Sequence, residues 1–258
     1  MVRPKKHLGQ HFLTDPLIAG RIVKAMNITR GDTVVEIGPG TGILTGFLME
    51  REIHLLPVEI DPESVSYLRQ KWPELRDQVI EDDFLKMNFD DYISGPFHVI
   101  GNFPYNISSQ IFFRVLEYRD RIPSIVCMIQ REVAGRIASP PGSREYGILS
   151  VLLQAYYHIE YLFTVKPGSF FPPPRVTSGV IRLSRNSTDK LPCDERLFFR
   201  VVKTTFNQRR KMIRNSVRSI LLNLNSDFDL LSKRPEQLGV QEFIDLTNWI
   251  ESQLKKEL

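Results

Sequence analysis

The sequence predicts an α/β protein, a doubly wound and mostly parallel sheet followed by a small all-helical C-terminal domain. Two patterns predict the sheet. Short, β-branched apolar strands alternate with helical segments of ten to twelve residues, and the first strand runs into a cluster of glycines. A third predicts the helical domain: after Arg185 the helical spacing continues without a strand signal.

The elements follow in order. "DPLIAGRIVKAM", from Asp15, has an acidic N-cap, a proline just inside and apolar residues three and four apart, so it reads as helix. "DTVVEIG" is a short, β-branched and largely apolar strand ending in glycine. "TGILTGFLMER" reads as helix, "IHLLPVEI" as strand and "DPESVSYLRQKW" as helix. "QVIEDD", "FHVIGN" and "SIVCMIQ" are further strands, interleaved with "SSQIFFRVLEY" and "REVAGRIA" as helices. "YGILSVLLQAYY" is expected to be helical and "VTSGVIRL" a late strand. The polar stretch "NSTDKLPCDE" then reads as a linker, dividing a catalytic domain, 1–185, from a helical domain, 186–258. There "RLFFRVVKTTFNQRRKMIRNSVRSILLNL" and "VQEFIDLTNWIESQL" both show helical spacing.

At 258 residues, 42% hydrophobic and 25% charged, the composition is that of an ordinary globular protein with room for one large and one small domain. The apolar runs fall far short of a membrane span, and "MVRPKKHLGQHFL" lacks the apolar core and cleavage site of a secretory signal. Cys127 and Cys193 lie outside any metal-type spacing, so free thiols and a cytoplasmic location are expected. The net charge of +4 is unevenly spread. Residues 1–14 hold Arg3, Lys5 and Lys6 without an acid, and seven Lys or Arg residues lie between Arg200 and Arg218, again without an acid. Such stretches fit a polyanionic partner or a solvated helix face, and composition alone does not separate the two.

"VVEIGPGTG" sets Gly38, Gly40 and Gly42 at the turn from the first strand into a helix, where a backbone without Cβ atoms admits a ligand closely. Glu59 ends the next strand twenty-one residues after Gly38, the place for a carboxylate that takes ribose hydroxyls. A dinucleotide would want Gly-x-Gly-x-x-Gly, and Glu36 adds negative charge where a pyrophosphate would sit. S-adenosylmethionine, with a sulfonium, an ammonium and one carboxylate, suits the loop better. Asp83 in "EDDF", ending a third strand beside Phe84, suits the adenine amino group.

"GNFPYNISS" then puts Asn102, Phe103, Pro104 and Tyr105 at the end of a fourth strand, on the rim shared by Gly38, Glu59 and Asp83. The exocyclic nitrogen of adenine is a poor nucleophile because its lone pair is conjugated with the ring. Two acceptors on its N–H bonds, the Asn102 carboxamide oxygen and the Phe103 carbonyl, would turn that lone pair outward. Pro104 keeps Phe103 extended and so directs the carbonyl. Tyr105 offers a stacking face worth about 1–3 kcal/mol. Neither a metal nor a covalent nucleophile is required. A simple capped turn is the alternative for the tetrapeptide taken alone.

Six motifs in order resemble those of the ribosomal RNA adenine N6-dimethyltransferases: "GQHFL", "VEIGPGTG", "VEID", "GNFPYNISS", "FFPPPRVTSGVIRL" and "FNQRRKMIRNSV". The likeness covers nearly the whole chain from about Lys6. It implies a class I S-adenosylmethionine-dependent methyltransferase fold, Rossmann-like, with a helical C-terminal domain that helps hold RNA. It implies transfer of four methyl groups to two adjacent adenosines in the 3′-terminal hairpin loop of 16S rRNA, within a pre-30S particle. Carried over by position, cofactor contacts fall on His11, Leu13, Gly38, Gly40, Glu59, Asp83 and Asn102. Target-base contacts fall on Asn102, Phe103, Pro104 and Tyr105, with Phe170 closing over the other face of the base. The chain departs from the family at His11, usually Asn, and at Phe103, usually Leu.

"RRKMIRNSVR" spaces Arg210, Arg214 and Arg218 four apart, a cationic stripe on one helix face that Arg209 and Lys211 broaden. The stripe would grip phosphates, leaving target choice to RNA shape and a flipped base. Three rivals remain: a large-subunit rRNA methylase, a DNA adenine methyltransferase, and an assembly factor whose main role is binding. Neither a membrane partner nor oligomerisation is indicated, so a monomer is expected.

Overall fold

The computed structural model describes residues 2–221 and 228–256. The chain divides into two compact units, residues 1–134 with 158–185, and residues 135–157 with 186–258.

The first unit begins with a two-residue strand β1 (Phe12–Leu13) and helix α1 (Pro16–Lys24). The Asp15 carboxylate accepts from the Leu17 and Ile18 amides, and Pro16 occupies the first helical position, so the predicted start is also the physical one. Strand β2 (Thr33–Ile37), helix α2 (Ile43–Met49), strand β3 (His54–Glu59) and helix α3 (Pro62–Lys71) follow, and α3 repeats the Asp-Pro start with Asp61 as its cap. Then come β4 (Ile80–Glu81), β5 (His98–Asn102), α4 (Ser108–Glu117), β6 (Ser124–Gln130) and α5 (Arg131–Ala138), which crosses into the second unit. After α6 (Ile148–Gln154) come β7 (Tyr157–Val165), β8 (Phe170–Phe171) and β9 (Ser178–Arg185), of which β7 and β9 complete the main sheet.

Among the described residues the main sheet has the order β4-β3-β2-β5-β6-β9-β7. The pairs β2–β3, β3–β4, β2–β5 and β5–β6 are parallel, whereas β6 and β9 run antiparallel in the register Ser124↔Ser184 to Gln130↔Ser178. Leaving β2, the chain builds β3 and β4 to one side and returns to build β5 on the other. That reversal opens a crevice at the carboxyl ends of β2 and β5. Val34, Ile100, Val126 and Met128 pack on one face against Ala19 and Ile22 of α1, Leu44 and Leu48 of α2, and Val65 and Leu68 of α3. The alternate residues Val35, Val99, Ile125 and Cys127 point to the opposite face and are equally buried, so both sides are covered. A separate ribbon pairs β1 with β8, Phe12↔Phe171 and Leu13↔Phe170.

The second unit gathers α6, α7 (Glu195–Asn207), α8 (Ile213–Ser216) and α9 (Val240–Leu254). The Phe206 and Phe243 rings stack 5.9 Å apart between α7 and α9, with Tyr146 edge-on to Phe206. Helix α6 packs against α7 and α9. The structure therefore groups residues 135–157 with the C-terminal helices, where the sequence reading drew a single boundary after Arg185.

Two elements differ from the sequence reading. "YHIEYLFTV", without a predicted structure beyond its first residue, forms β7, and the helix expected through Tyr157 stops at Gln154. The helix expected to run through "FNQRRKMIRNSVR" breaks after Asn207: Met212 is extended, and the Ile213 amide donates to the Lys233 carbonyl at 2.8 Å instead of to its own helix. The end of the same predicted helix, residues 222–224, lies outside the described residues. No helix among the described residues is long and apolar enough to cross a membrane.

Candidate active site

A cleft of about 190 Å³ lies at the carboxyl ends of β2, β3 and β5. Its walls come from the N-terminal segment 7–12, the glycine loop, the ends of β3 and β4, and residues 102–107 after β5.

Gly38 and Gly40 both have positive φ, 62° and 57°. A Cβ on Gly40 would sit 2.7 Å from the Phe12 ring, whereas one on Gly38 would meet nothing within 4 Å. The loop is thus packed behind and open in front. Both oxygens of Glu59 clip it to the strand: Oε2 accepts the Gly40 amide and Oε1 the Asp61 amide, each at 3.0 Å. Burial pushes the Glu59 pKa above the ordinary glutamate value, and the two amides work against that rise.

Glu36 behaves differently from its sequence reading. It is buried and absent from the cleft wall, and accepts the Thr45 hydroxyl at 2.7 Å. Burial, with the nearby Glu59 charge adding to it, pushes its pKa up to about 8. It is neutral at pH 7, so it does not repel a phosphate. The cleft wall itself makes the discrimination, since it carries Glu59, Asp82 and Asp83 and neither Lys nor Arg. Asp83 Oδ1 accepts the Leu85 amide at 3.0 Å, and its Oδ2 lies 3.4 Å from the exposed Lys86 ammonium. Ile60, half exposed, and the buried Phe84 add apolar wall on either side.

The N-terminal wall is latched to α3, a feature that sequence reasoning missed. The Lys5 ammonium pairs with Asp61 Oδ1, Gln10 Nε2 donates to Oδ2 at 3.4 Å, and the Lys5 amide donates to Gln10 Oε1 at 2.8 Å. The Asp61 side chain is fully buried and also accepts the Ser64 hydroxyl at 3.0 Å. Burial works to raise its pKa, but Lys5, Ser64, Gln10 and the Glu63 amide outweigh it and hold the carboxyl below the usual range. The only local signal was an acid directly after a strand end, already explained by its helix cap.

Residues 102–105 form the opposite wall. Asn102 Nδ2 donates to the His11 carbonyl at 2.8 Å, which leaves Oδ1 without a donor among the described residues. Phe103 donates its amide to the Met128 carbonyl at 3.0 Å and buries its ring 5.9 Å from Phe112, so the bulk that replaces leucine goes into the core. The Phe103 carbonyl also accepts nothing from the described residues. Tyr105 is half buried, its ring 5.7 Å from the His11 imidazole at 27°, and its Oη lies 2.6 Å from Ser178 Oγ. Burial raises the phenol pKa, so the group is a neutral O–H. His11 Nδ1 lies 2.7 Å from the Pro172 carbonyl and, since that oxygen only accepts, carries the proton.

Three sequence expectations are corrected. Leu13 and Phe170 do not line the cleft: they are cross-strand partners on the inward face of the β1–β8 ribbon and are 3% and 4% exposed in the core. Phe171, on the outward face, is the exposed aromatic of the pair. Arg210, Arg214 and Arg218 do not share a helix face. Arg210 lies in the turn after α7, Arg214 on the one-turn α8 and Arg218 in a 3-10 turn. These three and Lys211 are exposed and form no ion pair among the described residues. Arg209 is engaged internally, donating to the Ser143 carbonyl at 3.3 Å and to the Arg144 carbonyl, with Glu236 3.8 Å away.

The family profile described as Ribosomal RNA adenine dimethylase matches residues 1–250. The chain belongs to the ribosomal RNA adenine dimethylase family. It is 55% identical over its whole length to Ribosomal RNA small subunit methyltransferase A of Phocaeicola vulgatus, covering 93% of that protein. It is 56% identical to the protein of that name from Bacteroides thetaiotaomicron, over 99% of this chain and 97% of the other. Among solved structures, a dimethyladenosine transferase from Plasmodium falciparum shares the fold with a TM-score of 0.78 at 22% identity, over 94% of this chain and 98% of that one. The 23S rRNA methyltransferase ErmE gives 0.68 at 25% identity, over 92% and 99%. As a ribosomal RNA adenine dimethylase the chain is an S-adenosylmethionine-dependent enzyme with the class I methyltransferase sheet. The cleft fits that cofactor, because an acid-lined wall and an open glycine favour a cationic donor over a pyrophosphate.

Proposed function

We propose that this enzyme converts two adjacent adenosines in the 3′-terminal hairpin loop of 16S rRNA to N6,N6-dimethyladenosine within a pre-30S particle. The small-subunit name of relatives more than half identical over nearly the full chain supports this target. S-adenosylmethionine, when bound, supplies a methyl group already activated on a sulfonium. Gly38 and Gly40 admit it closely, Glu59 takes its ribose hydroxyls, Asp83 its adenine amino group, and the segment around His11 closes the wall.

Asn102 Oδ1 and the Phe103 carbonyl accept the two N–H bonds of the target adenine. The lone pair then leaves conjugation and faces the methyl group. Tyr105 supplies the face on which the base lies. The first transfer releases one N6 proton to water as the methyl group leaves its sulfonium, which becomes a thioether. One N–H then remains, so orientation in the second round leans more on stacking. Orientation and placed dipoles carry the rate enhancement. Arg210, Lys211, Arg214 and Arg218 hold RNA phosphates, and Arg209 keeps its structural place.

The observation that carries this function is the pair of unclaimed oxygens on Asn102 and Phe103, one of them fixed by the His11 carbonyl, in the wall of an acid-lined cleft. Labelled S-adenosylmethionine incubated with undermethylated 30S particles, followed by nucleoside analysis, tests it. Label is expected as dimethyladenosine at two neighbouring positions of 16S rRNA. The absence of dimethyladenosine from the 16S rRNA of these particles would remove the small-subunit target.

A further inference from the structure

We infer that Ser178 is a positioning residue for methyl transfer, acting as a fixed post that sets the plane of the Tyr105 ring. The inference rests on the reading of Tyr105 as the surface on which adenine stacks.

Tyr105 sits in the irregular stretch between β5 and α4, where backbone pairing does not fix a side chain. Ser178 is the reverse case. It opens β9, lies in register with Gln130 of β6, and is fully buried. The backbone around it is held on both sides: the Thr177 carbonyl accepts the Arg131 amide at 3.0 Å, and a Cβ on Gly179 would press within 3 Å of Ala134 and Tyr161. The 2.6 Å contact from Ser178 Oγ to Tyr105 Oη therefore ties a loop aromatic to a rigid strand at the far end of its ring. His11 supports the same ring from its side, itself held by the Pro172 carbonyl. A ring held at its hydroxyl and on one side keeps a single orientation, which is what base stacking against a fixed methyl donor demands. No atom of Ser178 reaches the cleft.

The test is a double-mutant cycle of Ser178→Ala and Tyr105→Phe on undermethylated 30S particles. Tyr105→Phe removes the same hydrogen bond while keeping the ring, so it serves even if Ser178→Ala lowers stability. Each single change is expected to lower kcat/KM about tenfold, the pair together no more than either alone, with affinity for S-adenosylmethionine unchanged. Because the second transfer has one N–H to hold, both variants should accumulate monomethyladenosine over dimethyladenosine. Effects that simply multiply, or an unaltered ratio of mono- to dimethyl product, would overturn the inference. Wild-type enzyme that makes no dimethyladenosine would instead strike the function proposed above.

Discussion

The side-chain nitrogen of Asn102 donates to the main-chain oxygen of His11 at 2.8 Å, joining two segments 91 residues apart. The bond settles which end of the carboxamide faces the cleft. Asn102→Ala should lower methyl transfer by roughly 10²- to 10³-fold while cofactor affinity stays within a few-fold. Asn102→Asp keeps an acceptor but sets a second oxygen against the His11 carbonyl, so it should do no better. Single-turnover rates and cofactor titration decide this, and a near-wild-type Asp variant would show that the anchor is irrelevant.

Glu36 makes stability depend on pH. Its carboxyl is held protonated up to about pH 8 in the folded chain but ionises near 4.5 when exposed. Between those values the folded state binds the extra proton, so stability is highest at the acid end and falls as pH rises, by up to about 1.4 kcal/mol per pH unit. Glu36→Gln removes the ionisation and keeps an acceptor for Thr45. The two proteins should melt together near pH 5, and the variant several degrees higher at pH 8. Parallel melting curves across that range would refute a neutral Glu36.

The latch from Lys5 and Gln10 to Asp61 predicts an effect on cofactor binding. Lys5→Ala or Asp61→Asn should loosen the segment that walls the cleft and weaken S-adenosylmethionine binding, about tenfold for the buried Asp61 and less for Lys5. The rate at saturating cofactor should change little. Limited proteolysis should cut the variants sooner within residues 3–12, with cofactor restoring protection. Equal affinity in all three proteins would dismiss the latch.

The basic residues of the second unit should separate by their engagement. Arg209→Ala removes donors from the Ser143 and Arg144 carbonyls and should lower the melting temperature. Changing Arg210, Lys211, Arg214 and Arg218 together to Ala should leave melting nearly unchanged and flatten the salt dependence of particle binding. The log–log slope should shrink by about 0.7–0.9 for each phosphate no longer neutralised. An unchanged slope would take these residues out of the RNA interface.

Where local chemistry decides the structure, the sequence was readable. Asp15-Pro16 and Asp61-Pro62 announce helix starts, and the short β-branched run "TVVEI", closed by a glycine, favours a buried strand. The doubly wound pattern also puts the ends of successive strands on one rim, which is why Gly38, Glu59, Asp83 and Asn102 could be gathered from the sequence. What escaped depends on partners far along the chain. Leu13 and Phe170 carry no local sign of pairing with each other, and a two-residue strand has no periodicity to read. The amide of Ile213 leaves its helix for Lys233, twenty residues on, so a four-residue spacing of arginines mimicked a stripe. Strand β7 begins in the Tyr-Tyr that ends an apolar helical pattern, and only its place beside β9 marks where one period gives way to the other.

The pairing of Phe12 with Phe171, and of His11 with Pro172, has a bearing on how the protein is made. During translation the anchors at Asp61 and Asn102 emerge first, but the amino-terminal wall must wait for more than half the polypeptide before its ribbon with β8 can form. A nascent or prematurely released chain ending before that point would hold the glycine turn and Asn102 but lack the ribbon and the Ser178 post. Such fragments should be inert as methylases.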